Sequence, residues 1–249
     1  MKEICFEFSG ERIWFGCKQL EEILQSINKT VKPAHKKEIK DLLEKWMKLI
    51  SFKMSFYSFY NDSDYYKVKE LLFFYYIRDI MIEKDAWVPI DKPDLSEEDI
   101  NKLKERAKRY GDYRYDVDNG WIGVLAQDLF SAYLREQGLD FHEYENDMEE
   151  GIDEYDILIN GIKIDVKCAT QDNYMEITPK VKVEEAKKKD YYVAMKYFSD
   201  IKKFVIIGYF YHDEFGSYPF KALYGAPFWG VKLYNAKPIS ELLEKISNE

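Results

Sequence analysis

Apolar residues recur along the chain with two different periods, and the change of period divides it. Residues 4–8 and 12–15 flank Ser9-Gly10 as a short hairpin would. Leu20, Ile23, Leu24 and Ile27 then follow helical spacing, as do Ile39, Leu42, Leu43, Trp46, Met47 and Ile50 beyond a breaker at Lys32-Pro33. Residues 65–82 are apolar nearly all round, which predicts a buried helix. Pro89 and Pro93 predict a loop, and Ser96 followed by Asp99 predicts a capped polar helix running to residue 110. Residues 1–110 therefore read as a mainly helical N-terminal region for substrate or partner binding, joined through residues 111–120 to the rest.

Beyond the joint, residues 121–137 predict an amphipathic helix closed by Gly138, with Leu125, Ala126, Leu129 and Tyr133 on its core face. Strand-like runs follow at 141–144, 155–159, 162–169, 191–197 and 204–211, with a helical stretch at 183–189. Pro238 opens a terminal helix over residues 239–246. That order predicts an α/β core over residues 111–249.

Composition narrows the class. With 46% apolar and 33% charged residues, the chain has the balance of a folded protein rather than a disordered one. No apolar run reaches membrane-spanning length, and Met1-Lys2-Glu3-Ile4 lacks the pattern of a signal peptide. Cys5, Cys17 and Cys168 have no paired spacing, so they predict reduced thiols in an intracellular, cytoplasmic protein and no zinc site. His35, His142 and His212 are far apart, which argues against a metal site built on histidine. No phosphate-binding or dinucleotide glycine loop occurs, so dependence on ATP or NAD is not expected. The aromatic content of 17% predicts an aromatic-rich core ahead of a base-stacking surface.

The net charge of −9 misleads as an average. Nine acids and no Lys or Arg lie within residues 139–160, and setting them aside leaves 37 acids against 37 bases. Residues 161–205 hold ten Lys against seven acids, so an acidic total does not argue strongly against a nucleic-acid partner.

Candidate chemistry concentrates in residues 153–167. Asn160-Gly161 between two apolar runs predicts a two-residue type I′ turn, which fixes the register. Ile159 then faces Ile162, Asp156 faces Asp165, and Glu154 faces Lys167. Alternation sends Ile157, Ile159, Ile162, Ile164, Val166 and Cys168 to the core, and Asp156, Asp165 and Lys167 to the opposite face. Two facing carboxylates repel by roughly 0.2–1 kcal/mol, a sign that a divalent cation between them would reverse. Oxygen ligands alone suit Mg²⁺ or Mn²⁺, and a lysine beside them can position water and neutralise a phosphate.

At these residues the chain resembles the PD-(D/E)XK nuclease superfamily, which has the restriction-endonuclease-like fold. Asp156 matches the family's first acid, and Asp165-Val166-Lys167 matches its (D/E)-x-K triplet. The family often places a Glu on the helix before the hairpin; in Gly123-Val-Leu-Ala-Gln-Asp-Leu-Phe130 that position holds Gln127. Asp128 points away from the core face, whereas Gln127 sits on its shoulder. The resemblance spans about residues 121–211 and matches nothing in residues 1–110.

The resemblance implies a mixed sheet flanked by helices and a Mg²⁺-dependent DNA endonuclease, with Mn²⁺ as a substitute. Asp156, Asp165 and the Val166 carbonyl would hold the ion together with Gln127, while Lys167 orients the attacking water. It also implies cleavage to 5′-phosphate and 3′-hydroxyl ends, and a homodimer is compatible with cutting two strands. Thr170 and Gln171 either touch substrate or begin a loop. Lys187 and Lys188, with Lys189 after them, either meet phosphates or form a solvated helix end. Two other classes stay open: a non-catalytic nucleic-acid-binding protein on an inactivated nuclease fold, and an assembly protein acting through its aromatic half.

Overall fold

A computed structural model describes residues 3–30, 76–108, 120–144, 155–170, 176–179, 188–223 and 226–248, with scattered positions between 37 and 73 and at 181 and 185. The expected helix positions 39, 42, 46 and 50, the joint at 111–119 and residues 145–154 of the acidic stretch lie outside the described residues. The chain divides into two units, Met1–Asp85 and Ala86–Glu249.

In the first unit, Ser9 and Gly10 both adopt positive φ, at 44° and 79°, which matches the right-handed twist of the strands they join. Strands β1 (Glu3–Phe8) and β2 (Glu11–Gly16) pair antiparallel around them, and helix α1 (Cys17–Thr30) follows directly. Phe6, Phe8, Ile13 and Phe15 are buried, as are Leu20 and Ile23 of α1, while Trp14 on the other hairpin face is 54% exposed. The unit ends in helix α2 (Ile77–Glu83), which covers the last part of the helix expected over residues 65–82. Its described part is a hairpin with helices, not a helical region alone.

The second unit begins 25 residues earlier than the joint expected at residue 111, and the reason is strand pairing. Residues around Pro89 form β3 (Val88–Asp91) rather than a loop. This strand lies at the edge of a six-stranded sheet, where a proline without an N–H is tolerated. Helix α3 (Glu97–Lys108) also belongs here. It opens on the expected cap, in which Ser96 Oγ accepts the Asp99 N–H and Asp99 Oδ2 accepts the Ser96 N–H, each at 3.2 Å. Helix α4 (Gly120–Glu136) packs on α3 and closes at Gly138, whose φ is 74°.

The remaining strands of the sheet are β4 (His142–Glu143), β5 (Ile157–Ile159), β6 (Ile162–Ala169), then β8 (Tyr191–Phe198) and β9 (Lys203–Tyr211). The strand β7 (Glu176–Ile177) lies outside it. The sheet order is β3-β9-β8-β6-β5-β4, antiparallel throughout except for the parallel pair β6–β8. Both β8 and β9 are buried along most of their length because both sheet faces are covered there, Val193, Met195 and Tyr209 by the helical core and Tyr192 and Phe210 by Phe215 and Tyr218, so polar alternation is absent. Helix α5 (Ile239–Asn248) buries Ile239, Leu242 and Ile246 in the same core as Leu125, Phe130, Ile157, Ile164 and Val193. Each such side chain contributes about 1.5–3 kcal/mol when fully buried.

Between β9 and α5 the sequence pattern predicts no element. The chain there forms the hairpin β10 (Phe220–Leu223) and β11 (Ala226–Trp229), and β12 (Val231–Lys232), which pairs with β7. The unit is thus a mixed α/β fold. No described helix is long and apolar enough to cross a membrane.

Candidate active site

Asn160 and Gly161 hold the expected turn, with φ of 50° and 82°. The register runs as the spacing predicts, with Ile159 opposite Ile162 and Ile157 opposite Ile164. Ile157, Ile159, Ile162, Ile164 and Val166 are all buried, and Cys168 is half-buried against the same core. Burial pushes the Cys168 thiol up to about 12 despite Lys196 nearby.

The pairing stops one step before the two acids. Asp156 donates its N–H to the Ile164 carbonyl at 2.9 Å, although Ile164 is already the ladder partner of Ile157. The expected cross-strand pair Asp156–Asp165 is therefore not part of the ladder, and Glu154 lies outside the described residues. Ending the strand frees the Val166 N–H on that edge of β6, and the Asp156 carboxylate takes it: Oδ2 accepts the bond at 2.5 Å. In an extended strand a residue's N–H and C=O point to the same side, so the Val166 carbonyl also faces the Asp156 edge.

The other Asp156 oxygen, Oδ1, accepts a hydrogen bond from Gln127 Nε2 of α4. Gln127 thus reaches the sheet as its helical position predicts. Asp128 turns the other way, into a two-bond pair with Arg106 of α3 at 2.6 and 2.8 Å. Burial is the largest influence on Asp156 and raises its carboxyl to about 7; the Asp165 charge adds to this, against Lys167, the Val166 N–H and Gln127. A polar cleft opens on this carboxyl, walled by Gln127, Asp128, Glu143, Tyr144 and Tyr155.

Asp165 is 3% exposed. Lys167 Nζ stands 2.6 Å from its Oδ2, and Lys189 Nζ stands 3.8 Å from its Oδ1. Oδ2 makes no hydrogen bond to satisfy it, so the Lys167 contact is ionic without hydrogen-bond alignment. A buried carboxylate oxygen in that condition fits a hard cation, as do the neighbouring Asp156 carboxylate, the Val166 carbonyl and the Gln127 amide. Among the described residues no three His, Cys, Asp or Glu side chains converge as a ready metal cluster. The candidate ligand set therefore rests on two carboxylates completed by neutral oxygens.

Other expected residues fall differently. Thr170 is half-buried just past the end of β6, and Gln171 and Lys187 lie outside the described residues. Lys188 pairs with Asp213 at 2.6 Å on the surface, away from the two acids. Of the two described lysines of this run, Lys189 is the one that comes to Asp165, and it is 2% exposed. Nothing in its local sequence sets it apart from Lys187 and Lys188; its placement follows from β8 starting two residues later. No protein-family model, curated protein or solved structure matches the chain.

Proposed function

We propose that the chain is a divalent-metal-dependent nuclease that hydrolyses DNA phosphodiester bonds. The observation that carries this reading is the buried Asp165 carboxylate, with the Lys167 ammonium 2.6 Å from its Oδ2 and its charge acting on Asp156, which Gln127 holds. DNA as the substrate rests on the resemblance of the Asp156 and Asp165-Val166-Lys167 pattern.

Asp156, Asp165 and the Val166 carbonyl would hold Mg²⁺ or Mn²⁺, which when bound supplies Lewis-acid polarisation of a phosphoryl oxygen. Gln127 fixes the orientation of the Asp156 carboxylate through its amide. Lys167, whose side chain is 34% exposed, reaches toward solvent and can orient an attacking water and stabilise developing negative charge. The restriction-endonuclease-like arrangement of the sheet is part of the same proposal.

The test is an assay with Mg²⁺ or Mn²⁺ on plasmid, branched and single-stranded DNA, with Lys167→Ala as its control. Cleavage by the parent and not by the variant supports the reading. A second reading, a nucleic-acid-binding protein on an inactivated fold, is favoured by one observation. Both Asp156 oxygens are already engaged, by Gln127 and by the Val166 N–H. DNA binding without cleavage under every metal condition decides for that reading.

A further inference from the structure

Within the run Lys187-Lys188-Lys189, the last two residues separate in space. Lys188 stays on the surface with Asp213, whereas Lys189 turns inward toward Asp165. Asp190 explains how the turn is held. Its N–H donates to the Lys163 carbonyl at 2.9 Å, and its Oδ2 accepts the Lys163 N–H at 2.8 Å. Residue 190 is thereby stitched to β6, and the next residues of β8 register with it: Tyr191 with Ile164, and Tyr192 with Asp165. Lys189 enters beside Asp165 on a backbone that Asp190 and β8 tie to β6 directly after it.

Burying an ammonium group costs several kcal/mol unless a nearby negative charge compensates it. Asp165 supplies such a charge and is itself buried, so the two side chains restrain each other. The contacts also divide the carboxylate: Lys189 faces Oδ1, and Lys167 faces Oδ2. Only Lys167 has a route to solvent, at 34% exposed against 2% for Lys189. One cation is placed to move and the other to stay.

We propose that Lys189 is a positioning residue of the site, a role that rests on the nuclease reading above. It holds Asp165 by Oδ1 and so keeps Oδ2 turned toward Lys167 and the metal position. Groups that hold a ligating carboxylate from behind typically matter 10- to 100-fold for metal affinity.

The experiment is calorimetric titration of Mn²⁺ into the full chain and into Lys189→Met, Lys189→Arg and Lys188→Met. Lys189→Met is expected to weaken Mn²⁺ binding by about 10-fold or more. Lys189→Arg should restore most of the affinity, and Lys188→Met should leave it unchanged. If Lys189→Met binds Mn²⁺ as tightly as the parent, the positioning role is overturned while the metal site stands. If the parent binds no Mn²⁺, the metal site and the role of Lys189 both fall. Should Lys189→Met fail to fold by circular dichroism, the parent decides the matter through its ¹⁵N-labelled lysine ammonium signals. One equivalent of Mn²⁺ should broaden the Lys189 signal, identified by its loss in Lys189→Arg, beyond detection. A Lys189 signal that stays sharp overturns the proposal.

Discussion

Asp156 Oδ2 accepts the N–H of Val166 at 2.5 Å, so a side chain takes the place of the strand that would otherwise have continued there. This bond ties the first acid of the site to the middle residue of the Asp165-Val166-Lys167 triplet. It also leaves the Asp156 carboxyl half-buried at the polar cleft, and that burial sets how the acid titrates.

Burial raises the Asp156 carboxyl from its ordinary 3.8 to about 7. Between those values the folded protein binds more protons than the unfolded chain. Raising the pH across that window therefore lowers the metal-free stability, by at most about 1.4 kcal/mol per pH unit from this group. Outside the window its contribution is flat. Urea unfolding at pH 5 and pH 8 in EDTA should show the fall in the parent and its absence in Asp156→Asn. Identical pH dependence in the two proteins would show that the Asp156 carboxyl is not raised.

Gln127 contributes a neutral donor to that same carboxylate. Gln127→Glu replaces the donor with a like charge, so the metal-free variant should lose about 1–3 kcal/mol of stability. A third carboxylate should also tighten Mn²⁺ binding, and Mn²⁺ should recover the lost stability by linkage. Thermal unfolding with and without Mn²⁺ measures both effects. An unchanged melting temperature in EDTA would place Gln127 away from Asp156.

Lys167→Ala removes the ammonium on Asp165 that has access to solvent. Cleavage should fall by about 100- to 1,000-fold, the scale on which a single charge-stabilising donor acts. Mn²⁺ affinity should persist, since lysine is not a cation ligand. Undiminished cutting by this variant would refute the assigned role of Lys167.

Asp165→Asn separates the strand register from the tertiary site. Two facing acids alone would make the substitution slightly stabilising in the absence of metal. With Lys167 and Lys189 both on Asp165, the metal-free variant should instead lose about 3 kcal/mol. The low end of the range for a buried pair applies because Lys167 remains partly in water. It should also lose most of the stabilisation that Mg²⁺ gives the parent. Chemical unfolding in EDTA, then with millimolar Mg²⁺, tests both; a more stable metal-free variant would show that repulsion dominates.

Local pattern alone determined the two tight hairpins, the cap at Ser96, the closure at Gly138 and the buried face of β5 and β6. Each depends on residues a few positions apart: positive φ at Asn160-Gly161, a hydroxyl three residues before an acid, alternation of period two. It likewise put Gln127 on the helix shoulder that meets the sheet. Tertiary structure alone decided the rest. Pro89 became a strand because an edge position beside β9 was open to it, and this carried β3 and α3 into the second unit. Asp156 left the ladder because its carboxylate, and not its neighbour's carbonyl, caps Val166. Lys189 reached Asp165 because the parallel pairing of β6 with β8 brings residues 165 and 189 together across 24 positions of chain. Periodicity records which face a residue turns within its own element; which charges then meet across elements depends on how those elements pair.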